Sequence, residues 1–240
     1  MVFLAITAAA SVLAGAIASV SGFGIGSLLT PLFDVPYDMR LAVAAVSIPH
    51  MIATSLRLWL MRRDVDRRVL RSFGLMSAAG GLTGAILQQY ATAPGLTIVF
   101  AVLLIGAGLA GLTGLSERLR FGPRTGWIAG VLSGMLGGLV GNQGGIRSAA
   151  LLGSQLSPAA FVATATAAGL IVDAAGMPVY VMMEQARLLA GLDVIAVATV
   201  GVVVGTVAGR PILRRLPPVL FKRLVGALIL LLGVYMLTRA

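Results

Sequence analysis

The chain contains no cysteine, which excludes disulfides, thiolate metal sites, iron–sulfur clusters and cysteine nucleophiles. Charge is almost as scarce. Only 11% of the 240 residues carry it, divided between 18 basic and 8 acidic side chains, with a single histidine. No GxxxxGK[ST] loop is present to hold a nucleotide and run a primary pump, and no HExxH, GxSxG or cluster of carboxylates and histidine offers an enzyme's site. Neither a cofactor nor a metal is expected. What remains is apolar: 58% of residues are hydrophobic and the mean hydropathy is +1.00, far outside the range of a soluble domain. The chain is expected to live in a bilayer. Residues 1–21 have no basic n-region and are apolar for longer than a signal h-region, so they read as mature protein.

Uninterrupted apolar stretches of about 20 residues, enough to cross the hydrocarbon core, occur at about residues 41–61, 69–90, 96–115, 158–183, 192–209 and 219–237. These are six ordinary spans. Two further regions, 2–33 and 127–153, are each interrupted by a glycine cluster. As one helix the first would be about 48 Å long against a core of about 30 Å, too long for one crossing and too short for two.

The net charge of +10 sits in short loops between spans, which reads as a topology signal rather than a surface for nucleic acid. The clusters are Arg62, Arg63, Arg67, Arg68 and Arg71; Arg118, Arg120 and Arg124; and Arg210, Arg214, Arg215, Lys222 and Arg223. Cytoplasmic placement of all three fails if every apolar region crosses once, because five crossings would put the first and third on opposite faces. Residues 127–153 therefore read as a re-entrant hairpin entered from the cytoplasm. Thirteen of the 18 basic residues then face inward, with Arg40, Arg187 and Arg239 outside and Arg57 and Arg147 within the membrane. The same logic makes 2–33 a hairpin entered from outside, followed by three crossings, and inverts the second half relative to the first.

A 119-residue offset lays "LAGAIASVSGFGIG" (13–26) over "LSGMLGGLVGNQGG" (132–145), matching Leu13, Gly15, Gly22 and Gly26 to Leu132, Gly134, Gly141 and Gly145. The expected fold is an all-α integral membrane protein of two inverted repeats, each a glycine-broken hairpin plus three transmembrane helices, a plan that recurs in secondary transporters. Repeat 1 covers 1–115, a cytoplasmic linker 116–126 and repeat 2 127–240.

Non-helical backbone at membrane depth is tolerated only inside protein or beside water, so the two breaks should meet. Each exposes the N-terminus of a second half-helix, from about Ile25 and about Ile146, with free amides and the positive end of the dipole. That combination attracts anions. The candidate binding residues are Ser21, Gly22, Phe23, Gly24, Gly26 and Ser27 in the first break, and Gly141, Asn142, Gln143, Gly144, Gly145, Arg147 and Ser148 in the second. Glycine admits the turn and a close ligand, the polar side chains add donors, and Arg147 adds a forked cation suited to sulfonate, sulfite or carboxylate. His50, near mid-membrane, reads as an anion ligand or a carrier of a coupling proton. Asp173 lies at comparable depth and reads as a neutraliser of Arg147 or a proton relay. Arg57 carries a charge-balancing alternative, but it lies near Arg62 and is expected to snorkel to the cytoplasmic surface. Gly201, Gly205 and Gly209 read as a helix-packing stripe, and Asp64, Asp66, Glu117 and Glu184 as loop residues in solvent.

The segments "SGFGIGSLLTP" and "GGLVGNQGGIRSAALL", with "SIPHMIATSLRLWLMRRDVD" and "FVATATAAGLIVDAAGMPVY" after them, resemble the sulfite exporter TauE/SafE family of membrane permeases. The resemblance covers most of the chain. It implies a multi-pass carrier in the cell inner (plasma) membrane for a small sulfur-containing anion such as sulfite, sulfoacetate or another sulfonate, with export as the expected direction. An anion channel, or a carrier of a non-sulfur carboxylate, stays open as an alternative, and a membrane enzyme ranks third. The expected partners are the lipid bilayer and the anion, with no nucleic acid and with a homodimer left open.

The parity argument predicts both termini outside and the three basic loops inside. Single cysteines introduced at Ala91 and Arg68 should label from opposite faces, and cysteines at Arg68 and Arg214 from the same face. Opposite labelling of the second pair would refute the re-entrant hairpin.

Overall fold

The computed structural model describes residues 1–115, 123–142, 144–152, 156–213 and 217–240. Among them all regular structure is helical, as lipid demands of a chain that must satisfy its own backbone. The first half contains α1 (Val2–Ser21), α2 (Ile25–Phe33), α3 (Met39–Met61), α4 (Arg67–Gln88, with one π turn at Leu70–Gly74) and α5 (Ala93–Thr113). The second contains α6 (Pro123–Val140), α7 (Gly144–Leu152), α8 (Pro158–Ala190), α9 (Leu192–Leu213) and α10 (Pro218–Leu237).

Among the described residues seven helices, α1, α3, α4, α5, α8, α9 and α10, are long and apolar enough to cross a membrane. One more than the six ordinary spans appears because the break in 2–33 falls late, leaving α1 with 20 residues and α2 with 9. At about 30 Å, α1 is itself of crossing length. The second pair is similarly unequal, 18 residues in α6 and 9 in α7. Helix α6 starts at Pro123, so the end of the expected linker 116–126 is helical; Glu117, Arg118 and Arg120 in that linker, like Arg214 and Arg215, lie outside the described residues. Helix α8 continues past the expected residue 183 to Ala190, with a kink at Glu184 (φ −117°, ψ 15°). Glu184 is thus no loop residue: its carboxylate accepts from Arg187 at 3.0 Å. Asp66 also has a structural task, accepting from the amides of Arg68 and Val69 to cap the start of α4.

Helix α2 turns back along α1. The Phe33 ring comes within 6.5 Å of the Phe3 ring, whereas a continued helix would hold the two about 45 Å apart. Two backbone-to-backbone seams hold the periphery. Along α1 and α9, Gly15 faces the Val202 carbonyl while Gly201, Gly205 and Gly209 face Ser11, Val12 and Ala16. Along α4 and α6, Gly80 and Gly84 face Val131 and Met135, and Gly134 and Gly138 face Ser77 and Gly81. The expected packing role of the 201–205–209 stripe is therefore observed. Helices α5 and α10 pack together through Gly108 and Gly226, and α3 and α8 pack on each other and on α9 and α4, respectively.

Polar contacts gather the loops at two ends. At one, Arg40 donates to the Ala91 carbonyl, Arg187 donates to Asp38 at 2.6 Å, and the Tyr37 hydroxyl lies beside Gly191. At the other, the Asp66 amide donates to the Thr164 hydroxyl at 2.9 Å. Burial works to raise the pKa of Asp38, but the Arg187 hydrogen bond and charge and the amides of Leu41 and Arg40 outweigh it and hold the carboxyl below its ordinary value. The contribution of this capped ion pair is present above the ordinary carboxylate range and is lost as pH falls through the depressed value.

A Cβ on Gly205 would stand 2.0 Å from the Val12 carbonyl oxygen, and one on Gly134 2.0 Å from the Ser77 carbonyl oxygen, whereas nothing lies within 4 Å of one on Gly106. Gly205→Ala and Gly134→Ala should each cost about 1–3 kcal/mol, the usual penalty of overpacking, read as a lower unfolding midpoint in detergent. Gly106→Ala should leave it unchanged.

Candidate functional site

Each break begins with a glycine in the left-handed region, where other residues are strained. Gly22 (φ 80°) closes α1 by donating its amide to the Ala18 carbonyl at 3.0 Å, and Gly24 (φ 123°) precedes α2 with no side-chain cap. The first amides of α2, those of Ile25, Gly26 and Ser27, are consequently uncapped by side chains. Gly141 (φ 72°) closes α6 through its amide and the Gly137 carbonyl at 2.8 Å. Helix α7 begins at Gly144, two residues before the expected start. The breaks touch: a Cβ on Gly26 would lie 2.6 Å from the Gly141 carbonyl oxygen, and one on Gly144 2.9 Å from Phe23 Cβ. Glycine is required on both sides for that approach.

Arg147 stands in the first turn of α7, 3% exposed, and its Nε and Nη1 have no hydrogen-bond partner among the described residues. Its guanidinium lies on Gly169 of α8, where a Cβ would come within 2.6 Å of Nη1. That contact belongs to a stripe. Val162 borders Gly22, Thr166 is buried with its hydroxyl unpartnered, Gly169 carries Arg147, and Asp173 bonds His50. Spacings of four, three and four residues put all four on one face of the helix. His50, midway along α3, holds its Nδ1 2.5 Å from Asp173 Oδ2.

Arg57 completes the cluster and corrects an expectation. It does not snorkel: it is 5% exposed and donates through Nη1 to the Ala18 carbonyl at 2.6 Å. Helix α1 ends above it, and a cation at a helix C-terminus is favourably placed. Its charge is within range of Arg147 and Asp173, and Arg147 is within range of Asp173. Ser21 also departs from its expected role. Its hydroxyl lies 2.9 Å from the Ile17 carbonyl and 2.6 Å from that of Phe23, and accepts from the Phe23 amide at 3.3 Å, so it closes the turn instead of offering a donor.

Of the other expected residues, Ser27 is buried, Asn142 and Ser148 are half-buried, and Asn142 Nδ2 has no partner among the described residues. Gly145 is the second residue of α7, while Gln143 lies outside the described residues. Sequence reasoning missed Thr166, Gly169, Tyr180, whose hydroxyl donates to the Gly138 carbonyl at 2.5 Å, and Thr30, buried beside Gly141. The signal for the first two was present in "VATATAAGLIVD", where polar or small residues recur at heptad-like spacing from Val162 to Asp173. Chemically, the arrangement is a buried cluster of two guanidiniums, one carboxylate and one imidazole in which Arg147 keeps two donors without a protein partner among the described residues, and a forked cation with free donors is suited to an oxyanion.

No curated protein and no solved structure matches the chain. The family model for the sulfite exporter TauE/SafE matches residues 7–236, and this span takes in both breaks, Arg57, His50, Arg147 and Asp173. The chain belongs to the sulfite exporter TauE/SafE family of membrane transporters.

Proposed function

We propose that the protein is a secondary exporter, in the cell inner (plasma) membrane, of a small sulfur-containing anion such as sulfite, sulfoacetate or another sulfonate, held between the two glycine breaks. The observation that carries the reading is Arg147: a buried cation with two donors unpartnered among the described residues, in the first turn of α7 beside the uncapped start of α2. Burying an unpaired charge is costly, and an anion would supply the missing partners. Asn142 Nδ2 and the amides of Ile25, Gly26 and Ser27 are the neighbouring donors.

Two inverted repeats, each opening with a re-entrant hairpin, form the proposed framework. Support comes from the helix bounds: α7 (Gly144–Leu152) and the start of α8 (Pro158) reproduce α2 (Ile25–Phe33) and the start of α3 (Met39) at the 119-residue offset. Packing supports it as well. The long arm of each hairpin lies against a helix of the opposite half, α1 on α9 and α6 on α4, while α3 pairs with α8 and α5 with α10. This is the exchange a twofold relation would produce.

Arg147→Ala should weaken binding of the best sulfonate or sulfite ligand by about ten- to hundredfold, the loss of a charge-assisted bond of about 1.5–3 kcal/mol. Arg147→Lys, which keeps the charge but not the fork, should fall between. Normal folding with unchanged affinity in Arg147→Ala would assign the arginine to the scaffold. In liposomes the wild type should show saturable counterflow, and unsaturated currents would turn the reading to a channel.

A further inference from the structure

The charges buried between the spans do not cancel. Arg57 and Arg147 are 5% and 3% exposed, and Asp173 is the one carboxylate among them. The other acids lie away from the cluster: Asp34, Asp38 and Asp193 near helix ends with Glu184 at the kink of α8 beside Arg187, Asp64 and Asp66 between α3 and α4, with Glu117 outside the described residues. The charged or titratable groups of this cluster are Asp173 from α8, which bonds His50, and Arg57 from α3, Arg147 from α7 and Tyr180 from α8, each within electrostatic range of Asp173. Helices α2 and α5 carry none, and Asp193 and Arg210 of α9 and Arg124 of α6 lie at their helix ends. Tyr180 is committed as a donor to Gly138. With His50 neutral and Asp173 ionised the cluster carries one net positive charge. One further proton on the His50–Asp173 pair makes it two.

In a medium that screens so little, the favourable ligand is one whose charge equals that surplus. We infer, resting on the reading of this cluster as the anion site, that the His50–Asp173 pair sets the valence of the ligand: a monoanion binds with no change of protonation, and a dianion binds together with one proton held between His50 Nδ1 and Asp173 Oδ2. The proton comes from solvent and no other bond forms or breaks. His50 and Asp173 keep 16% and 12% of their side-chain surface and are less enclosed than Arg57 and Arg147, so the pair is where a proton would be exchanged. Sulfite can satisfy either rule, as hydrogen sulfite or as sulfite plus a proton, which are the same composition. Fixed-charge anions separate the two cases.

The test is isothermal titration calorimetry of the purified protein with methanesulfonate and with sulfate, in buffers of different ionisation enthalpy. Where the pair of the free protein holds no extra proton, sulfate should take up about one proton on binding and lose about tenfold in affinity per pH unit, while methanesulfonate should take up none and stay flat. Asp173→Asn leaves the cluster with two net positive charges without any proton, so sulfate should bind it with no proton uptake and no pH slope. Equal proton uptake for the two anions in the wild type, with binding that still depends on Arg147, would overturn the valence rule alone. If neither anion binds, or both bind Arg147→Ala as they bind the wild type, the anion-site reading falls and the rule falls with it. A proton-coupled sulfate slope that persists in Asp173→Asn also overturns the rule.

Discussion

A peptide group left bare in hydrocarbon has nothing to bond to, and the architecture follows from where this chain breaks that rule. Helices α1 and α6 end in left-handed glycines, and the chain restarts after a gap too short to reach water. Both restarts therefore have to lie within protein, and each lies against the other, with Gly26 under the Gly141 carbonyl and Gly144 against Phe23. The central helices α3 and α8 then serve as walls around that junction. The seams at the periphery draw the long arms tightly onto α9 and α4.

Charge is the second constraint, and α8 organises it. A single face of this helix meets the first break at Val162, carries Arg147 at Gly169 and reaches His50 through Asp173. The absence of a side chain at Gly169 is as necessary as the carboxylate one turn on, since any Cβ would displace the guanidinium. Arg57 acts on the opposite side, under the end of α1, where the Ala18 carbonyl takes one of its donors. The two arginines are held apart by different helices and share one counter-charge.

Much of this was legible before any coordinates. Apolar runs bounded by arginine or proline mark α3, α4, α5, α9 and α10 to within a few residues, because lipid forces helix along the whole run. The breaks were legible because glycine and polar residues interrupt a run too long for one crossing. The sequence could not reveal the His50–Asp173 contact, which joins residues 123 positions apart and depends on how α3 and α8 face each other. Arg57 misled for the same reason: its distance from Arg62 along the helix suggests the surface, and only the end of α1 lying over it makes it buried. The kink at Glu184 misled in the other direction, since charged residues near a helix end look like a loop when the helix continues through them.

The seam between α1 and α9 has a consequence for how the protein is made. Helix α1 leaves the ribosome well before the helix it fits most closely, which begins at Leu192. Until that later helix is made, α1 must wait in the bilayer with Thr7 and Ser11, buried in the folded protein, turned toward lipid or a temporary neighbour. Its length and apolarity let it stand alone during that wait, and assembly becomes a late closure in which α9 completes a groove that α1 laid down much earlier.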